Sequence, residues 1–144
     1  MARLFKVVQS RLEVLAASAE ARALAATEGV SVRPAQELSL VIAELGMNAL
    51  RHAGGGVVQI DVGHQGWTVE VKDSGPGLTD EVLRDAGRSD RLGAHGVRAP
   101  ADGQRSFGSG LASVRRMSTR LELSNRDGGG ACAVAHRDLS QSSP

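Results

Sequence analysis

An α/β chain of the α+β two-layer sandwich kind, with helices packed on one face of a mixed, mainly antiparallel sheet, is predicted by three features. Apolar residues recur at helical spacing in two long stretches near the N-terminus and again after Gly110, and alternate in the segments between and after them. The resulting order, β-α-α-β-β-α-loop-α-β-β, sets neighbouring strands close enough in sequence to pair as hairpins. At 144 residues, 41% hydrophobic and 23% charged, the chain is sized for one core and too apolar for disorder.

The first strand is expected over Leu4 to Gln9, where Leu4, Phe5, Val7 and Val8 cluster. From Arg11 to about Glu28 the period becomes helical, with Leu12, Leu15, Ala16, Ala19, Ala23 and Ala26 as the repeating positions and Gly29 as the stop. Ser31 and Pro34 mark the start of a second helix that runs to about Ala53. Its buried stripe is Leu38, Val41, Ile42, Leu45 and Ala49, and Gly54-Gly55-Gly56 ends it. Val58, Ile60 and Val62 then alternate, His64-Gln65-Gly66 turns the chain, and Trp67, Val69 and Val71 alternate on the return. A short helix is expected from Thr79 to Ala86. Gly87 to Ser109 has almost no apolar periodicity, which is unusual inside a compact domain and points to function or mobility. After Gly110, Leu111, Val114, Met117, Ser118 and Leu121 restore helical spacing, and Leu121–Ser124 and Ala131–His136 are expected to form the last two strands around a turn from Asn125 to Gly130. The predicted domain covers residues 4–138, and the tail 139–144 is expected to be disordered.

Composition narrows the function. The net charge of +1 suggests no polyanion partner, so nucleic acid is not expected. Aromatics are only 2%, too few for base-stacking platforms. The apolar runs fall short of the ~20 residues of a membrane span, and the N-terminus has no apolar run that would serve as a secretory signal. Cys132 is the single cysteine, and with four scattered His it gives no zinc spacing. The expectation is a cytoplasmic protein without membrane attachment. Glycine, at 18 residues, is the informative excess, because glycine marks turns and close approaches.

Three places carry chemistry. Glu44 and Asn48 lie four apart on the second helix and Arg51 follows nearly in line, so they share a face at the edge of the buried stripe. An Asn carbonyl oxygen there is a suitable hard ligand for Mg²⁺, which keeps waters and shares phosphate oxygens; a solvated helix face is the plainer alternative. Asp73-Ser74-Gly75-Pro76-Gly77 is either an ordinary turn or an acceptor for an exocyclic amine beside backbone that approaches a planar ligand. Gly108-Ser109-Gly110-Leu111 closes the long loop and opens a helix, where exposed amides suit phosphate, although short glycine patterns are common.

In this order and context the three motifs resemble the GHKL ATPases (the Bergerat-fold, HATPase_c-type domains of gyrase, Hsp90, sensor histidine kinases and anti-sigma-factor kinases). The N box is matched by Glu44-Leu45-Gly46-Met47-Asn48-Ala49-Leu50-Arg51-His52, the G1 box by Asp73, Gly75 and Gly77, and the G2 box by Gly108, Gly110 and Leu111. The resemblance spans roughly Leu4 to Asp138. Sensor histidine kinases usually carry Asn where Glu44 stands, whereas Glu marks the ATPases and the serine/threonine kinases of sigma-factor regulation. The stretch from Ile42 to Gly56 looks most like the stressosome switch kinase (RsbT type), more than the anti-sigma factors proper (RsbW and SpoIIAB types).

That resemblance implies a Bergerat fold, ATP and Mg²⁺ as cofactors, and serine/threonine kinase activity on a STAS-domain protein of a partner-switching pathway. A sigma factor or a phosphatase would be a further partner, and the chain would act as a monomer or homodimer. Asp73 would receive the adenine amine, Gly75 and Gly77 would shape the base pocket, and Asn48 would hold Mg²⁺. Arg51 would contact phosphate, and Gly108, Gly110 and Leu111 would hinge a lid over about residues 87–109. Glu44 would accept the proton of the attacking hydroxyl. His52 would pack or help position phosphate. Two departures stand out. The late-strand Gly-Thr pair that supports the adenine-binding Asp in the family is Gly130-Ala131 here, and the lid, with Arg88, Arg91, Arg98 and Arg105, is longer than the stressosome kinase leads one to expect. Two alternatives stay open: an anti-sigma factor acting mainly by nucleotide-dependent binding, and an orphan histidine-kinase catalytic domain.

Overall fold

A computed structural model of the chain describes residues 1–86 and 104–140. Strand β1 (Ala2–Val8) leads into helix α1 (Arg11–Thr27), capped by the Ser10 hydroxyl, which accepts from the Glu13 amide. Helix α2 (Val32–Ala53) follows and stops at Gly54. The hairpin β2 (Gly56–Gly63) and β3 (Gly66–Lys72) comes next, then the short α3 (Asp80–Ala86). Helix α4 (Gln104–Met117) and the strands β4 (Arg120–Asn125) and β5 (Ala131–Asp138) complete the described residues.

The five strands form one sheet in the order β1-β2-β3-β5-β4, and every neighbouring pair is antiparallel. The sheet is therefore wholly antiparallel rather than mixed. Its two hairpins give antiparallel pairs, and β5 slots between β4 and β3 running against both. In register across the sheet, Leu4, Ile60, Val69, Ala135 and Leu121 share the face toward α1, α2 and α4. The other face carries Arg3, Phe5, Gln59, Glu70 and Glu122, and Phe5 is 60% exposed there.

Helix α2 is the central beam. Leu38, Val41, Ile42, Leu45 and Ala49 are buried, as their spacing predicts. Helix α1 buries a different stripe from the expected one: Val14, Ala17, Ala21 and Ala25 face the core, whereas Leu12 is 78% exposed and Leu15 also faces solvent. Alanines surround this helix, so its apolar contrast is weak and packing chooses the face. Val14 reaches Gly46 of α2, a contact that admits no larger side chain at 46.

The chain end also differs from expectation. Leu139 donates its amide to the Gln65 carbonyl and packs against the core, and the Ser140 amide bonds the Asp138 carboxylate. Residues 141–144 of the expected tail, and residues 87–103 of the expected lid, lie outside the described residues. No helix among the described residues is long and apolar enough to cross a membrane.

Candidate functional site

The C-terminal half of α2, the end of β3 and the start of β5 converge on one cleft. Leu45, Asn48, Ala49 and His52 form its helix wall, Asp73, Gly77 and Leu78 its rim, and Leu111, Leu123, Ala131 and Ala133 its remaining sides. About 490 Å³ of atom-free space, part of it open solvent, lies in and over it. The wall is mostly apolar, with few polar groups, which suits a planar heterocycle held by a small number of directed contacts.

Asn48 is the anomaly of the wall. It is 7% exposed, and neither Oδ1 nor Nδ2 has a hydrogen-bond partner. Leaving a buried amide unpaired costs about 1–3 kcal/mol for each group, so an apolar residue would serve the fold better. A ligand with both donor and acceptor chemistry, or a hard cation, fits such a group. Among the described residues no cluster of three His, Cys, Asp or Glu is placed to hold a metal. A cation here would rest on Asn48 and on oxygens brought by the ligand.

Asp73 stands at the end of β3, where its carboxylate is half-buried at the cleft rim. Its Oδ1 accepts from the Gly75 amide at 3.0 Å and from the Ala131 amide at 3.1 Å, while its own amide donates to the Ala131 carbonyl. These bonds fix the carboxylate plane and leave Oδ2 outside the pair of amides. Ala131 thus supports Asp73 through its main chain, without the hydroxyl that the resemblance leads one to expect at this position. Gly130, at φ +100°, passes so close to the Asp73 carbonyl that any Cβ would strike it.

His52 completes the wall one turn beyond Asn48. Burial, and next the Arg51 charge, hold its pKa below the ordinary 6.5, with Asp73 pulling the other way. Neutral imidazole is therefore the favoured form.

Glu44 and Gly110 meet outside this wall. The Glu44 carboxylate occupies the place where a Cβ at position 110 would stand, so α2 and α4 close around it. Arg137 ties the far end of the same seam, donating to Glu37 of α2 at 2.7 Å and to the Met117 carbonyl of α4 at 2.6 Å.

The structure brings Asn48, Asp73, Gly77 and Leu111 to the cleft. Gly75 sits behind the rim against Ala53 of α2. Arg51 is exposed and outside the lining. One expectation is corrected: α4 begins at Gln104, so Gly108 and Gly110 lie inside a helix rather than at a loop-to-helix junction. Glycine's penalty of about 1 kcal/mol in a helix favours a break there, but α4 is helical through both positions, and the Glu44 carboxylate fills the space a side chain at 110 would take. The amides of Gly108 and Gly110 lie within the helical ladder, so they are not displayed as an open anion nest. Sequence reasoning missed Asn125 and Arg126. The Asn125 side chain accepts from the Leu78 amide and donates to the Leu78 carbonyl, and Arg126 donates to the Asp73 carbonyl. Asn125 ends β4 opposite Ala131 and Arg126 opens the turn that follows, and only the folded contacts reveal that they face Leu78 and Asp73.

A family described as histidine kinase-, DNA gyrase B- and HSP90-like ATPase matches residues 34–141. Among solved structures, a chain in the crystal structure of the SiaB–SiaC complex from Pseudomonas aeruginosa superposes with a TM-score of 0.66 at 18% identity, covering 92% of this chain and 89% of that one. At that identity the likeness concerns the fold. No curated protein matches the chain.

Proposed function

The chain belongs to the histidine kinase-, DNA gyrase B- and HSP90-like ATPase family, and from that premise we propose that it is an ATP-dependent serine/threonine protein kinase of a sigma-factor partner-switching pathway, acting on a STAS-domain protein. The observation that carries the nucleotide site is Asn48, whose unpartnered buried amide faces the same cleft as Asp73.

In this reading Asp73 receives the adenine amine on the oxygen not engaged by Gly75 and Ala131. Asn48 offers its carbonyl oxygen to Mg²⁺, and Arg51, on the next turn, contacts phosphate. Bound Mg-ATP supplies the phosphoryl group and the charge neutralisation that such transfer requires. Glu44 takes the proton of a substrate serine or threonine hydroxyl. Its carboxylate now packs against Gly110, so access for that hydroxyl requires α4 to yield, which gives the G2 glycines their role as a hinge. Glutamate rather than asparagine at position 44 is the feature that favours a hydroxyl acceptor over a histidine. A phosphate added to a serine at a protein interface would break it by charge and desolvation, and the matching chain in the SiaB–SiaC structure likewise sits in a two-protein assembly.

Calorimetry of Mg-ATP binding tests the cleft. Asp73→Asn loses an acceptor for the amine, and Asn48→Ala loses the cation ligand. Each is expected to weaken binding by about tenfold or more, the equivalent of one charge-assisted hydrogen bond. Parent-like affinity in Asp73→Asn would remove the base contact. Phosphoryl transfer to a STAS-domain substrate is expected to fail in Glu44→Ala while Mg-ATP affinity holds. Transfer to a histidine, or tight binding without transfer by the parent, would replace the kinase reading with one of its two rivals.

A further inference from the structure

We propose that Asn125 and Arg126 are positioning residues that set how selectively Asp73 reads adenine, by fixing both ends of the Asp73–Leu78 loop. This rests on the nucleotide reading of the cleft and adds to it a device that the motifs do not contain.

Apart from the bonds of Asp73 to Gly75 and Ala131, all at the start of the loop, the contacts that hold it come from Ala53, Asn125 and Arg126. Gly75, Pro76 and Gly77 offer no side-chain donors. On its inner side Gly75 leans on Ala53 of α2. On its outer side the last residue of β4 and the first of the β4–β5 connection grip it. Asn125 makes a two-point bond with the Leu78 main chain, accepting from its amide at 2.7 Å and donating to its carbonyl at 3.0 Å. Arg126 donates to the Asp73 carbonyl at 2.6 Å. Its own main chain closes a tight turn, the amide donating to the Gly130 carbonyl at 2.8 Å and the carbonyl accepting from Gly129 at 3.2 Å. That turn presses Gly130 onto the Asp73 carbonyl and aims the Ala131 amide at Oδ1.

Ala131 has a methyl and no donor beyond its amide. The orientation of the carboxylate therefore depends on main-chain geometry, and Asn125 and Arg126 set that geometry. A carboxylate that discriminates an amine from a carbonyl must be aimed within a few tenths of an ångström, because misaligned hydrogen bonds weaken steeply. Loosening either anchor would lower ATP affinity more than GTP affinity, since guanine presents a carbonyl where adenine presents its amine.

The test uses the full chain and Asn125→Ala, Arg126→Ala and Arg126→Lys variants. Three quantities are measured: ATP and GTP affinities, amide exchange of Gly75, Leu78 and Ala131 in nucleotide-free protein, and the thermal midpoint. The two alanine variants are expected to weaken ATP binding by about three- to tenfold, because the exposed bonds they remove act on the nucleotide only through Asp73. The ATP-to-GTP ratio falls with it, and the Leu78 or Ala131 amide exchanges faster. Arg126→Lys, which keeps a donor, restores most of the ratio. Unchanged ATP affinity would overturn the proposal. So would ATP and GTP affinities falling by one common factor with the midpoint, which is mere loosening of the fold. A parent chain that binds neither nucleotide would take down the reading of the cleft itself, a result distinct from a parent that binds and variants that match it.

Discussion

At Gly110 a hydrogen stands where other residues carry a methyl, and the Glu44 carboxylate fills the room this leaves. A methyl there would push on the far end of a flexible side chain, while alanine relieves glycine's helical penalty of about 1 kcal/mol. Gly110→Ala is therefore expected to keep its thermal midpoint but to slow phosphoryl transfer by stiffening the α4 hinge that must yield to free Glu44; full transfer by this variant would remove Gly110 from that hinge role. Gly130→Ala is the opposite case. Its Cβ would strike the main chain of Asp73, and a left-handed φ adds strain of about 1–3 kcal/mol, so denaturant unfolding should show a loss of at least that size. His52 supplies a pH signature. Its pKa in the fold lies below the unfolded value of 6.5, burial being the main cause. Such a group adds stability that is fully present above pH 6.5 and is lost as pH falls through the folded pKa. Titration of the ring by NMR should give a midpoint below 6.5, and His52→Gln should flatten the decline in stability on the acid side.

Among the elements, α1 separates what spacing reveals from what packing decides. The expected Leu12, Leu15, Ala16, Ala19, Ala23 and Ala26 and the buried Val14, Ala17, Ala21 and Ala25 are both helical stripes, offset around one cylinder. Two substitutions distinguish them. Leu12→Ala should change stability by less than about 0.5 kcal/mol, as an exposed site does. Ala21→Leu should cost about 1–3 kcal/mol by overpacking the α1–α2 seam. If denaturant midpoints showed the reverse order, the orientation of α1 would be wrong. Helix α2 and the β2–β3 hairpin were legible because Leu38, Ile42, Leu45 and Ala49 recur at helical spacing over several turns and because Val58, Ile60 and Val62 alternate cleanly. The start of α4 was not, since glycines at 108 and 110 read as a break, whereas the helix runs through both. At the cleft, Asn48 and Asp73 were visible as motif residues. Asn125 and Arg126 were not, because their partners, Leu78 and Asp73, are 47 and 53 residues away along the chain.

On the scale of the whole molecule, one sheet face is packed by helices and the cleft opens at the end of that packed layer where β3 leaves the sheet. Trp67 lies near the opposite end of β3, 1% exposed and paired with Val62 and Arg137. Six residues of extended strand, at about 3.3 Å each, put it roughly 20 Å from Asp73. As the only tryptophan it reports unfolding of the layer and is blind to occupancy of the cleft. A ligand that binds only the folded chain stabilises it by mass action, by about 2.7 kcal/mol at a hundredfold excess over Kd. For a chain of this size that corresponds to a rise of about 5–10 °C in midpoint. Mg-ATP at that excess is thus expected to leave native Trp67 emission unchanged and to raise the melting curve it reports by that amount. Asp73→Asn at the same nucleotide concentration should show a clearly smaller rise. An equal rise in both proteins would place the nucleotide somewhere other than this cleft.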